Sequence, residues 1–125
     1  MKQETWNKII LIVMSFILIC FEIYSWGVES HYKWDFLFLI GLLWVVYIVR
    51  NKIKLNPLHY FLLSFFLLLH GIGIFDTYSF SYFGLEFDLY VHGYFGLVSA
   101  LMLHRTYKTV GPYKGWFMYI AIIAI

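Results

Sequence analysis

Glu22, His70, Asp88 and His92 are side chains of the kinds that move protons or hold metals, and each stands in or beside an otherwise apolar run. The stretch Phe87 to Gly93 reads FDLYVHG, and the four-residue interval between Asp88 and His92 stacks both on one face of a helix. An aspartate one turn from a histidine can orient the imidazole, which suits either a general base or a metal ligand. His70 and His92 are therefore candidate ligands or proton carriers, with Asp88 orienting His92 and Glu22 as a further ligand or general base. Two histidines and two carboxylates also make a ligand set for a divalent metal such as Zn²⁺, Mn²⁺ or Fe²⁺. The same four residues thus form the candidate catalytic set and the candidate metal site.

Plainer roles compete with this chemistry. Asp-x-x-x-His arises often by chance, and Asp88 at a helix start would cap free N–H groups and meet a favourable dipole. Glu22 paired with His70 or His92 would only neutralise a buried charge. His59 and His104, beside Pro57 and Arg105, read as interface anchors, and Asp35 as an N-cap. Tyr78, Tyr82, Tyr90 and Tyr94 read as belt or packing residues. No Ser-His-Asp order, phosphate loop or cysteine nucleophile can be assembled.

The elements that carry these residues follow from composition. Of 125 residues, 62% are hydrophobic and 13% charged, about half the charge fraction of soluble domains. The mean hydropathy is +0.77. These values describe a membrane protein. A net charge of +2, with basic residues in short clusters, excludes a nucleic-acid partner. Cys20 is the single cysteine and permits no intrachain disulfide. Lys2 and Lys8 precede an apolar run without a small-x-small cleavage site, so the run reads as an uncleaved first span.

Crossing about 30 Å of hydrocarbon takes roughly 20 apolar residues. The windows fall at about residues 9–26, 34–49, 55–75 and 87–104, with a fifth started at 116–125. The expected fold is all-α: one integral membrane domain over residues 1–125, a polytopic transmembrane bundle of four spans and the beginning of a fifth. The last window reaches only about 15 Å at helical rise, and a chain continuing beyond Ile125 is expected. Lys2 and Lys8, then Arg50, Lys52 and Lys54, then Arg105, Lys108 and Lys114 share one side, leaving Lys33 opposite. This places the N-terminus in the cytoplasm and the protein in the cytoplasmic membrane. Trp6 and Trp116 mark the inner boundary, Trp26 and Trp34 the outer one. Gly71, Gly73, Gly93 and Gly96 suit close helix packing, and the aromatic segment Asp76 to Glu86 forms an external loop at the interface.

In that frame Glu22, His70 and His92 lie about 6 to 7 Å below the outer boundary, with Asp88 and Asp76 just above. Ionisable groups at such depth normally face one another inside the bundle. They predict a polar pocket open to the outer leaflet.

The runs LHGIGIFDTYSF and FDLYVHGYFG, within Leu55 to Tyr107, resemble the uncharacterised YjdF-like bacterial and archaeal membrane proteins. His70, Gly73, Tyr78, Asp88, His92 and Gly96 fall on that family's motif positions. A more distant likeness is to VanZ-like proteins. The resemblance implies further glutamates and aspartates in later spans but no defined reaction.

Three functions are open at this point. The first is a membrane-embedded enzyme acting on a lipid or envelope precursor at the outer leaflet. The second is a noncatalytic subunit or scaffold whose polar residues hold helices or oligomers together. The third is a transporter or proton relay, disfavoured because about 18 Å of helix between His92 and His104 carries no ionisable group.

Overall fold

The computed structural model describes residues 2–29, 31, 34–75 and 80–110. Four helices, α1 (Lys2–Gly27), α2 (Asp35–Ile48), α3 (Pro57–Ile74) and α4 (Phe87–Val110), carry a small hairpin, β1 (Ser81–Tyr82) and β2 (Leu85–Glu86), between α3 and α4. The expected windows and these helices coincide at their centres and differ at their ends. α1 starts two turns before the apolar run, because Gln3, Glu4 and Lys8 are good helix formers that a hydropathy window excludes. α4 likewise runs past His104 through Arg105 and Lys108. The fifth window, with Lys114 and Trp116, lies outside the described residues, as do Lys33, Asp76 and Tyr78.

The start of α3 is written locally. Asn56 is extended (φ −91°, ψ 137°), its Oδ1 accepts from Leu58 N–H at 2.9 Å, and Pro57 takes the first helical position, where its missing donor leaves nothing unpaired. Asp35 is not the N-cap of α2: Trp34 holds that position without a side-chain cap, and Asp35 lies in the first turn.

α1 packs on α2 and α3, and α3 carries α4. The buried stripe of α1 is Asn7, Leu11, Met14, Ser15, Leu18, Glu22 and Ser25, a helical spacing that turns polar groups inward. Leu18, Phe36, Leu43, Tyr60 and Leu67 form the centre of the core. The outward faces are apolar: Phe16, Ile23, Phe38 and Ile48 are each about two-thirds exposed. An apolar core with a few buried polar groups, under an outer face that is itself apolar, is the pattern of helices whose outer medium is lipid.

Interhelical hydrogen bonds fix the arrangement. Tyr60 Oη donates to Leu43 O at 3.0 Å, Trp44 Nε1 to Ser15 Oγ at 3.2 Å, and Tyr94 Oη to Leu62 O at 2.9 Å. α4 buries Val91 and Val98 against α3, and Phe66 stacks on Phe95 with centroids 4.4 Å apart.

At one end of the bundle, Arg50 pairs with Glu4 at 3.0 Å and Arg105 Nε donates to Lys54 O at 3.3 Å. The start of α1, the turn between α2 and α3, and the last turns of α4 therefore meet, gathering the basic residues as their sequence positions imply.

Candidate functional site

The opposite end is an aromatic platform. Phe75 stacks on Phe36 (5.2 Å) and meets Phe21 (6.0 Å) and Tyr24 (5.3 Å) edge-on. This layer joins α1, α2 and α3, and it closes only because residue 71 is glycine. A Cβ there would lie 3.0 Å from Phe36 Cε1, on a ring with no exposed surface. Gly93 and Gly96 do not repeat this role, for a methyl at either would meet nothing within 4 Å among the described residues.

Glu22 sits on the buried face of α1, 8% exposed. Its Oε1 accepts from Trp26 Nε1 at 2.6 Å, and Ser25 Oγ donates to the Glu22 carbonyl at 2.8 Å. Oε2 has no hydrogen-bond partner among the described residues. The expected pairing of Glu22 with His70 or His92 is absent; a partner one turn away on the same helix takes its place. Trp26 also meets Trp34 edge-on at 5.4 Å, tying the end of α1 to the start of α2.

His70 lies near the end of α3, stacked on Phe66 at 6.1 Å. It is within electrostatic reach of Asp35 on α2 and of Asp88 and His92 on α4. Asp35, which sequence reading treats only as a cap, thus joins the same end of the molecule.

Asp88 and His92 meet as their spacing requires, His92 Nε2 lying 3.2 Å from Asp88 Oδ1. Their side chains are open, with relative exposures of 46% for Asp88 and 71% for His92. They border the side of α4 that carries exposed Leu89, Gly93, Leu97 and Leu101. The described residues thus bring Asp88 and His92 together on α4, with His70 on the neighbouring α3 and Glu22 turned into the core of α1–α3. Among them, no group of three or more His, Cys, Asp or Glu side chains is placed to hold a metal ion.

Above the pair, Phe80 to Phe87 folds back as the hairpin, Phe87 N–H donating to Phe80 O at 2.9 Å. Ser81 pairs with Glu86 and Tyr82 with Leu85. Phe83 (φ 51°) and Gly84 (φ 80°) make the turn, both with the positive φ that two-residue hairpins require. Tyr90 Oη donates to Tyr82 O at 2.8 Å, anchoring the hairpin on α4 beside the Asp88–His92 pair.

The medium around these helices decides what such a pair can meet. Residues 6–125 match the family described as "Predicted membrane protein (DUF2238)". The chain belongs to that family. No curated protein and no solved structure matches it. In this DUF2238 protein α1 and α3 are long and apolar enough to cross a membrane, while α2 is apolar but shorter. The apolar outer faces of the helices agree with that description.

Proposed function

We propose that this polytopic protein has all four described helices across the cytoplasmic membrane and its N-terminus in the cytoplasm. In this reading Asp88 and His92, assisted by His70, carry out acid–base chemistry on a lipid or envelope precursor at the outer leaflet. The supporting observation is the 3.2 Å Asp88–His92 contact on an open side of α4, within reach of His70. α2, with 14 residues, rises only about 21 Å. Trp34 and the long stem of Arg50 extend its reach to the two interfaces.

In this reading an imidazole nitrogen of His92 accepts the substrate proton, with the Asp88 carboxylate 3.2 Å from its Nε2. The Asp88 carboxylate then stabilises the imidazolium, as an orienting acid does for a general base. His70 supplies a second imidazole for returning a proton to a leaving group. Glu22 remains a candidate for a proton on Oε2, through a rotation that breaks its bond to Trp26.

A scaffold reading has its own observation in the open space beside Gly93 and Gly96, into which a partner helix could pack closely. One experiment separates the two. Lipid and envelope-precursor extracts are compared from cells making the wild type, Asp88→Asn or His92→Ala, with membrane abundance measured in parallel. The enzyme reading expects the species altered by the wild type to change at least about 100-fold more slowly in both variants, at normal abundance. Loss of abundance or of oligomer in both variants would favour the scaffold. An unchanged extract at equal abundance would remove the catalytic role.

A further inference from the structure

The basic end of the bundle holds a cleft of about 560 Å³, bordered by Glu4 and Asn7 of α1, Arg50, Asn51 and Lys54 of the following turn, and Arg105 of α4. Its size falls in the range of ligand pockets. Three cations and one carboxylate line it, so it carries a local excess of positive charge. Glu4 and Asn7 lie in the two turns of α1 that precede the apolar run at Ile9, which puts the cleft at headgroup depth.

The cations are positioned by backbone and side-chain bonds. Arg50 donates from Nη2 to Glu4 and from Nη1 to Tyr47 O at 3.0 Å, with its guanidinium 4.2 Å over the Tyr47 ring. Its Nε is buried without a partner among the described residues, as is Asn7 Oδ1 on the other wall. Asn7 Nδ2 faces the Leu55 carbonyl at 3.4 Å, which sets the orientation of that amide. Arg105 is tied to the turn through Lys54 O.

Lys54 stands where glycine would be easier. Its φ is 51°, and Leu55 N–H donates to Arg50 O at 2.9 Å across the turn, a geometry in which Gly or Asn usually takes the left-handed position. A lysine there keeps a charge at the cleft against a local backbone preference.

We infer that this cleft binds the phosphate of an anionic lipid headgroup in the leaflet that the basic end faces. Lys54 presents a point charge to the phosphate oxygens with Arg105 beside it, and Arg50, whose Nη1 and Nη2 are held by Tyr47 O and Glu4, adds to the positive field of the cleft. Asn51 offers an amide to the headgroup hydroxyls. The inference is independent of the chemistry proposed for Asp88 and His92 at the other end.

The test uses the purified full chain in detergent, with thermal melts read against added phosphatidylglycerol, phosphatidylcholine or soluble glycerol phosphate. Phosphatidylglycerol should raise the melting temperature saturably. Lys54→Gly and Arg105→Gln should each need about five-fold more lipid for half the effect, as expected for one surface cation. Lys54→Gly should melt without lipid at or above the wild type, since glycine relieves the left-handed turn; its lost response then cannot be blamed on unfolding. Half-saturation unchanged in Lys54→Gly, or equal stabilisation by phosphatidylcholine, would overturn the inference. Equal stabilisation by soluble glycerol phosphate at the same concentration would overturn the lipid source and assign a soluble phosphate ester.

Discussion

Single residues show how far local spacing carries. The Asp88–His92 contact is legible because an i, i+4 pair on a helix needs no tertiary information. The partner of Glu22 follows the same rule, since Trp26 is also four residues away; looking for a distant histidine overlooked the nearer donor. Asp35 was legible as a helix-start residue, but the N-cap position one residue earlier belongs to Trp34, which carries no side-chain cap. Glu4 gives a prediction with a definite sign. The hydrogen bond and charge of Arg50 hold the Glu4 carboxyl below its ordinary value, so the pair stabilises the fold above the unfolded carboxyl value. That stabilisation is lost as pH falls through the lower folded value. The melting difference between wild type and Glu4→Gln should be present at pH 7 and shrink as pH falls below the ordinary carboxylate range; a difference that grew as pH fell would refute the assignment. Tyr60 gives another. Removing its hydroxyl by Tyr60→Phe leaves the ring in place and deletes the bond to Leu43 O, with an expected cost of about 0.5 to 1.5 kcal/mol in a detergent unfolding titration.

Among the elements, the helices were legible from hydropathy and their ends were not. Apolar windows locate what lies in lipid, whereas α1 and α4 continue through Glu4 and Arg105 to form the polar end of the bundle. The hairpin was hidden because its strands have two residues each, too short for alternation to show, and Phe83 is an unusual residue for a left-handed turn. Gly71 was legible as a packing residue, but Gly93 and Gly96, alike in sequence, face open space. The difference lies in which side of each helix meets a neighbour. Gly71→Ala should therefore destabilise by about 1 to 3 kcal/mol, because the Phe36 ring is held by Phe21 and Phe75 and cannot move aside. Gly96→Ala in the same assay should be neutral or slightly stabilising. Equal effects at the two positions would contradict the packing described for the aromatic platform.

For the whole molecule, composition alone establishes a membrane protein, and family membership agrees. The gathering of basic residues at one end was also legible, from the alternation of connections rich and poor in lysine and arginine along the chain. The three-dimensional form of that end was not, since the cleft depends on Glu4, Arg50, Lys54 and Arg105 meeting across three elements. The central claim is that the bundle crosses the bilayer with this basic end and the Asp88–His92 end on opposite surfaces. The most direct measurement places one cysteine at each end, Asn51→Cys or Phe83→Cys in a Cys20→Ser background, and labels intact cells with a membrane-impermeant maleimide. Phe83→Cys should label from outside, and Asn51→Cys only after the membrane is opened. Labelling of both from the same side would contradict the crossing of α3 and, with it, the placement of the candidate site.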